Sequence, residues 1–223
     1  SWGDGTFGSS SAIGSNNQLR LWSLDSFGED LIACPRGGSI YYWDYTNFNT
    51  RAIALADLSG ANLAPTLGLQ VLVSDVDRHV VVLGADPINA TASGRTGAID
   101  PLLVAFSDQE NAAEWEPLST NTAGSLRCSA GSQIIGGLRA RQETLIWTDV
   151  ALYSLQFIGA PLTFGLTLIN EGVSLIGPNA PVNTPSGIFW MDKKGFYTYQ
   201  GAVQPVPCSV HSYVFDDLNE GQA

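Results

Sequence analysis

The sequence predicts an all-β fold built from repeated antiparallel meanders. Aromatic residues, which favour pleated strands, are frequent, with six Trp, seven Tyr and nine Phe against a single Met. No long window keeps the apolar period of an α-helix. An apolar run followed by an aspartate recurs five times, at 39–44, 71–75, 103–108, 145–149 and 188–192.

The terminal aspartates of this repeat give its spacing. They lie about 31 to 43 residues apart, which is the period of a β-propeller blade or of another β repeat; they are Asp44, Asp75, Asp108, Asp149 and Asp192. A short carboxylate at a strand end can accept backbone N–H groups in the turn that follows. The repeat therefore predicts successive blades, with Trp43, Trp147 and Trp190 partly buried at equivalent blade positions.

The N-terminal part divides into a lead-in and a first hairpin. Residues 1–17 are rich in Gly, Ser and Asn and are predicted to be extended, whereas residues 18–223 form the propeller-like domain. A strand starts near Gln18 and ends at 25–28. Strands at 31–34 and 40–43 flank the turn 35–38, whose glycines accept the positive φ of a hairpin. Segment 52–58 fits either a short helix or an irregular connection.

Further hairpins follow along the chain. The pattern pairs 69–74 with 79–84, 133–138 with 144–148, and 188–191 with 196–200, and it adds a strand at 152–158. A last apolar strand is predicted at 212–215. Because the sequence does not open on Met and stops just after this strand, we interpret the chain as a segment of a longer polypeptide with an incomplete propeller.

Charge and cysteine content restrict the function. The 223 residues carry a net charge of −11 with only 10 Lys and Arg, the opposite of a chain that grips a phosphate backbone. Cys34, Cys128 and Cys208 are widely spaced and are predicted to be small buried residues rather than a metal site or disulfide framework. The sequence shows neither a membrane-spanning run nor a signal peptide.

Candidate chemistry is sparse, and we predict no catalytic, cofactor-binding or metal-binding residue. His79 lies in an apolar strand, where a structural role is favoured, and His211 has no orienting partner motif. Segment 107–115 resembles the Asp-box turn of sialidase-type propellers but lacks its mid-turn glycine, and that box is itself structural. The glycines near 94–97 and 136–137 lack phosphate-loop spacing.

Several stretches resemble the β-propeller nozzle or tail-tube proteins of short-tailed, podovirus-type bacteriophages. The resemblance covers about residues 20–217 and is carried by RLWSLDSFGEDL at 20–31, GSIYYWD at 38–44, FSDQE at 106–110, WEP at 115–117, TAG at 122–124, LIWTD at 145–149, GIFWM at 187–191, VPCSV at 206–210 and YVF at 213–215. The opening WGDGTFG at 2–8 is similar to the strand that precedes this region in such proteins.

This resemblance implies a structural protein of the virion. Nozzles of the family form rings, commonly hexamers, dock to an adaptor ring near the portal, and carry tail fibres or receptor-binding proteins. They are longer than this chain, which leaves the blade count and the ring contacts open. An acidic wall would let DNA slide through the ejection channel without specific binding, and no membrane partner is implied.

Two other hypotheses stay open. One is a propeller-type module that binds carbohydrate or protein in receptor recognition, and the other is a glycoside-acting enzyme. A ring of like subunits with an axial hole favours the nozzle, and exposed Trp and Tyr platforms on a monomer favour the binding module. A deep pocket with two facing carboxylates favours the enzyme.

Overall fold

A computed structural model of the chain describes residues 21–74, 77–159 and 161–218. These residues form four antiparallel sheets of four strands, and each sheet is a meander in which consecutive strands are neighbours. We call the sheets the first to the fourth blade, in chain order. The predicted all-β meander fold is confirmed, although the four described blades do not close into a complete propeller.

The first blade contains β1 (Trp22–Phe27), β2 (Asp30–Pro35), β3 (Tyr41–Trp43) and β4 (Ile53–Ala54). Two 3₁₀ helices span Tyr45–Asn47 and Leu55–Asp57. The predicted β2–β3 hairpin is present, and Gly37 adopts φ 71° in its turn, a backbone angle that glycine accepts without strain. Segment 52–58 combines the short strand β4 with the second 3₁₀ helix.

The other blades follow the same plan. The second contains β5 (Gln70–Val73), β6 (Val80–Leu83), β7 (Leu103–Phe106) and β8 (Gly124–Arg127). The third contains β9 (Ile134–Arg139), β10 (Thr144–Thr148), β11 (Ala151–Gly159) and β12 (Thr163–Glu171). The fourth contains β13 (Val182–Thr184), β14 (Gly187–Met191), β15 (Phe196–Tyr199) and β16 (Val203–Val206). The predicted hairpins β5–β6, β9–β10 and β14–β15 are all present.

The first strand of each blade is the innermost. Strand β1 packs along β5, β5 contacts β9, and β9 contacts β13, so consecutive blades stack face to face around the inner strands. This stacking produces three apolar clusters, one between each pair of consecutive blades. Their most deeply buried members include Ile32, Val80 and Val82 in the first cluster, Val104, Ile134 and Ile146 in the second, and Leu145, Trp147 and Leu152 in the third.

The prediction of equivalent tryptophans is right for two of three. Trp147 in β10 and Trp190 in β14 both occupy the second strand of a blade, and their rings meet edge to face with centroids 5.4 Å apart. Trp43 lies in β3, the third strand, and is half-buried. The prediction for Trp43 is wrong. An apolar strand followed by an aspartate indicates where a strand ends, but it does not indicate whether that strand is the second or the third of its blade.

The same reason corrects the predicted repeat. The runs before Asp44 and Asp108 are third strands, those before Asp149 and Asp192 are second strands, and 71–73 belongs to a first strand. Asp75 itself lies outside the described residues. The blades begin at Trp22, Gln70, Ile134 and Val182, at wider intervals than the spacing of the aspartates.

The predicted strand at 212–215 is also wrong, since His211–Phe215 forms the short helix α1. Phe215 packs edge-on against Phe196 of the fourth blade, with ring centroids 5.4 Å apart. A run of four residues is too short for periodicity to separate strand from helix. The predicted lead-in at 1–17 and the predicted strand start at Gln18 lie outside the described residues.

Candidate functional site

The first blade leaves an apolar face open. Along β1, Trp22 and Leu24 are 56% and 60% exposed, whereas Ser23 and Asp25 point to the inner side. Strand pairing places Leu31, Ala33, Tyr41 and Trp43 on the same side of the blade as Trp22 and Leu24. We call these six residues the open face. Because apolar side chains cost free energy when left in water, such a face is typical of an interface.

The inward side of β1 is polar and is used by the neighbouring blade. The Ser23 hydroxyl accepts the Val71 N–H at 2.9 Å, and the Asp25 carboxylate accepts the Val73 N–H at 2.8 Å. The strand therefore has its polar side chains inside and its apolar side chains outside. An isolated domain normally shows the reverse arrangement.

Polar side chains fill the space between the first three inner strands. Arg139 of β9 pairs with Asp25 of β1 at 3.4 Å and donates to the Val73 carbonyl of β5 at 3.0 Å. Gln70 exchanges two hydrogen bonds of 2.8 Å with the backbone of Gly137. The centre of the array is therefore occupied by bonded side chains between these strands.

The fourth blade ends the array on the other side. Val182 of β13 is 52% exposed, and Phe189 and Met191 on the same side of that blade are half-buried. The contact of Phe215 with Phe196 brings α1 over part of this face. The fourth blade therefore has some cover from its own chain.

The aspartates that end second strands bind the segment that enters the same blade. Asp149 accepts the Ser132 N–H at 2.7 Å and the Ser132 hydroxyl at 2.6 Å, and Asp192 accepts the Ser174 N–H at 3.2 Å. Asp86 of the second blade accepts the Thr66 N–H at 3.0 Å and also bonds the Thr66 hydroxyl. We call this arrangement the carboxylate latch. The predicted bond to the turn that follows is present for Asp192, which accepts the Lys193 N–H at 2.6 Å. For Asp149 the prediction is wrong, because its carboxylate accepts from Ser132 in the segment that precedes the blade.

The pKa of Asp149 agrees with a carboxylate latch in which the carboxylate is ionised. Burial acts to raise the pKa of Asp149, but the hydrogen bonds from Ser132 and Gln133 together hold it below its ordinary value. Within residues 21–74, no carboxylate directly follows the second strand of the first blade. Arg36 stands at that position, its N–H bonds the Leu21 carbonyl at 2.8 Å, and its guanidinium donates to the Ile134 carbonyl at 3.1 Å.

The aspartates that follow third strands act locally or within their blade. Asp44 accepts the Thr46 N–H and caps the 3₁₀ helix at Tyr45–Asn47. Asp108 accepts the Thr122 N–H at 2.8 Å and the Thr122 hydroxyl at 2.6 Å. Segment 107–115 is a turn whose Trp115 is buried in the first apolar cluster, which agrees with its structural interpretation.

His79 is fully buried just before β6 and contacts the rings of Phe157 and Phe164. Its Nε2 lies 3.0 Å from the Thr122 hydroxyl, which donates to Asp108, so Nε2 carries the ring proton. The Nδ1 atom has no hydrogen-bond partner in the described part of the chain. Burial lowers the pKa of His79 to about 4, against a smaller opposing effect of Asp108, so the ring is neutral at pH 7.

A cleft of about 190 Å³ opens between the second and third blades. Three turns and strand ends form it: β5–β6, β9–β10 and β11–β12. Its lining includes Ser74, Asp77, Arg141, Gln142, Phe157 and Phe164. The sequence did not indicate this cleft, because its walls come from three separated segments without a shared motif.

The remaining predicted features are spread apart. Cys34 and Cys128 are buried as predicted, and burial raises the pKa of each thiol to about 12, whereas Cys208 is only partly buried. His211 stacks on Phe215 in α1, far along the chain from His79. Within 21–74, 77–159 and 161–218, no three His, Cys, Asp or Glu side chains are grouped closely enough to hold a metal ion.

The chain matches no protein-family model and no curated protein sequence. Among the helices of the described residues, none has the length and apolar character needed to cross a membrane. The open face, the cleft and the net charge of the chain are the features that bear on its function.

Proposed function

We propose that this chain is a structural component of a bacteriophage tail, of the nozzle or tail-tube class, and forms part of the wall of the DNA ejection channel. One observation carries the proposal. Strand β1 has its apolar side chains exposed and its polar side chains inside. A chain with this arrangement is suited to an assembly in which another polypeptide surface covers Trp22 and Leu24.

The energetics of the open face support an obligate contact. Full burial of a large apolar side chain is worth about 1.5–3 kcal/mol. Trp22 and Leu24, which lie on the same face of β1, are each more than half exposed. Burying such a row against a neighbour supplies part of the free energy that ring formation requires.

The filled centre of the array determines where a channel can run. Because Arg139, Asp25 and Gln70 bond across the inner strands, DNA would pass between subunits of a ring and not through the blades of one chain. In this proposal copies of the chain surround the axis, commonly six in the family that it resembles. Portal-proximal adaptor proteins dock above them, and tail fibres or receptor-binding proteins attach outside.

Net charge supports passage of DNA without binding. The chain carries −11 with 10 basic residues, and at least three of these, Arg78, Arg127 and Arg139, are paired with carboxylates, those of Glu110, Asp100 and Asp25. An acidic wall releases no counterions on meeting phosphate, so it gains little from contact with DNA. The proposal assigns the chain no catalytic centre, no metal and no cofactor.

Assembly state and DNA affinity test the proposal together. We expect mass photometry of the purified protein to show a ring-sized oligomer, and fluorescence anisotropy at physiological salt to give duplex-DNA dissociation constants weaker than about 1 µM. Trp22→Ser combined with Leu24→Ser should reduce the oligomer to a monomer, whereas Leu162→Ser, at a side chain 68% exposed elsewhere, should not. A free monomer with sub-micromolar DNA affinity would refute the proposal.

A further inference from the structure

The outer strand of the third blade is longer and less protected than the other outer strands. Strand β12 has nine residues, and its single charged residue is Glu171 at the end. The other outer strands carry features that discourage pairing with a further strand, since β4 has two residues, β8 contains Arg127 and β16 contains Pro205. Among the four described blades, the edge of β12 is therefore the one suited to pair with another strand.

Backbone groups of β12 point to the open edge at alternate residues. The strand lies at the end of its sheet, with β11 as its neighbour. The Phe164 N–H bonds the Leu162 carbonyl at 2.7 Å and so is not available to β11. Because alternate residues of an antiparallel strand direct their N–H and C=O groups the same way, Leu166 and Leu168 direct theirs away from β11. Thr167 is exposed and Leu168 is 40% exposed, so this edge is accessible.

The side chains of β12 allow the strand to pair with a copy of itself. Phe164, Leu166 and Leu168 lie on one side of the strand, and Gly165 and Thr167 lie on the other, because side chains alternate. When two such stretches run antiparallel about Leu166, Phe164 lies opposite Leu168 of the other copy. Gly165 then lies opposite Thr167 of the other copy. Apolar residues meet on one side and small residues meet on the other, which favours pairing.

A bulge determines where the regular part of the strand is centred. The register between β11 and β12 is continuous from Phe164 to Leu168, and it shifts beyond Leu168, where Ile169 has no directly opposite residue. A bulge bends a strand and interrupts its pairing. Leu166 is therefore the middle residue of the stretch that can pair without interruption.

The charge of the chain also favours a contact at this edge. With a net charge of −11, two copies repel each other over much of their surfaces. Residues 150–170, by contrast, contain no Asp, Glu, Lys or Arg. In a pair centred on Leu166, Glu171 lies opposite Pro161 of the other copy and not opposite a second carboxylate. Pairing at β12 therefore avoids the repulsion that opposes contact elsewhere.

We propose that β12 pairs antiparallel with β12 of a second copy of this chain, in a twofold contact centred on Leu166. The two third blades then form one continuous eight-stranded sheet, and neither copy leaves the edge of β12 unpaired. This inference goes beyond the tail-component proposal and does not depend on it, because the open face belongs to the first blade.

The contact is weak because it is small. It joins two short strand stretches along one edge, so we expect a dissociation constant on the order of 100 µM. At the nanomolar concentrations of mass photometry the two copies are therefore separate. The pair forms only in concentrated solution or where an assembly holds two copies close together.

The test is sedimentation equilibrium of the Trp22→Ser, Leu24→Ser variant between about 10 and 500 µM, so that the open face does not contribute. We expect the mean mass to rise with concentration from that of one chain toward twice that value. Leu168→Lys should abolish the rise, because it places a solvated charge beside Phe164 of the other copy. The matched control is Gln204→Lys on the exposed outer strand β16, which should leave the rise unchanged. Both variants should keep the melting curve of the parent.

Disulfide formation tests the register. In a Cys208→Ser background, Gly165→Cys combined with Thr167→Cys places thiols opposite each other, so oxidation should give a covalent dimer on a non-reducing gel. Thr167→Cys alone should not, because the two positions 167 are not opposite in this register. A constant single-chain mass would overturn the inference. So would a rise that survives Leu168→Lys, or a covalent dimer formed by Thr167→Cys alone.

Discussion

The first and third blades share one topology but differ in how they are covered. In the third blade every residue of β10 is buried, so the blade packs apolar side chains on both faces. In the first blade β1 alternates between exposed and half-buried residues, and Trp22 and Leu24 face outward. The third blade is an interior layer of the four described blades, and the first blade is an outer layer whose apolar face is exposed.

The same two blades differ in how their entering segments are held. The third blade uses the carboxylate latch of Asp149 on Ser132, and the first blade has Arg36 at the corresponding position. Arg36 donates to the Ile134 carbonyl of the third blade and so connects the two blades. The hydrogen bonds of Asp149 therefore stay within the third blade, whereas the hydrogen bond of Arg36 joins the first blade to the third.

Removal of an aromatic side chain from the interior third blade should have the largest effect on stability. Trp147→Ala should lower the free energy of unfolding by about 3–5 kcal/mol, because Trp147 is fully buried against Trp190. Trp22→Ala should cost less than about 1 kcal/mol in the isolated chain. Urea denaturation followed by circular dichroism measures both. Equal losses for the two variants would remove the distinction between interior and outer blades.

Acid should weaken the contact between the second and third blades. The buried His79 has a folded pKa of about 4 against 6.5 in the unfolded chain, so between these values the unfolded state binds more protons. The contribution of neutral His79 to the free energy of unfolding is fully present above pH 6.5. It decreases by roughly 3 kcal/mol as the pH is lowered to 4.

The matched variant for this pH effect is His79→Phe, which keeps a ring beside Phe164 but cannot titrate. The difference in unfolding free energy between wild type and variant, measured at pH 7 and at pH 4.5, should shrink or change sign at the lower pH. A constant difference would show that His79 does not titrate on unfolding in this range.

Parts of the fold were predictable because their signals are local. Hairpins β5–β6 and β14–β15 follow from apolar runs interrupted by turn residues. The position of Trp43 was not predictable from the repeat, because strand order depends on which strands pair. The inward orientation of the polar side chains of β1 could not be predicted from the sequence either. Ser23 and Asp25 point inward because they accept backbone N–H groups of β5.

The site was harder to predict than the fold. The cleft depends on Asp77, Arg141 and Phe157, which belong to turns and strand ends far apart in sequence. Each of these residues alone is typical of an ordinary solvated turn or strand end. Only the stacking of the second blade on the third brings them together, and no short-range pattern encodes that stacking.

A smaller effect is expected from the latch itself. Asp149→Ala should cost about 1–2 kcal/mol, because the Ser132 N–H and hydroxyl lose a charged acceptor but remain close to water. Asp57→Ala removes an exposed carboxylate outside a latch and serves as the control. Thermal unfolding compares them, and an equal melting temperature for both variants would show that the latch does not stabilise the third blade.

The smallest effect on stability should come from the open face. Leu24→Ser should change the unfolding free energy of the separated chain by less than about 1 kcal/mol, because Leu24 is already 60% exposed. Its effect on assembly should be large, with loss of the oligomer in mass photometry. A variant that unfolds readily but still assembles would contradict the role given to the open face.

The central claim is that another polypeptide surface covers the open face in a tail assembly. Electron cryo-microscopy of the particle that contains this chain tests it most directly. We predict the four blades in a ring around the axis below the portal, with Trp22 and Leu24 buried in a contact between polypeptides and the channel between subunits. Blades located off the axis with Trp22 and Leu24 facing solvent would contradict the account.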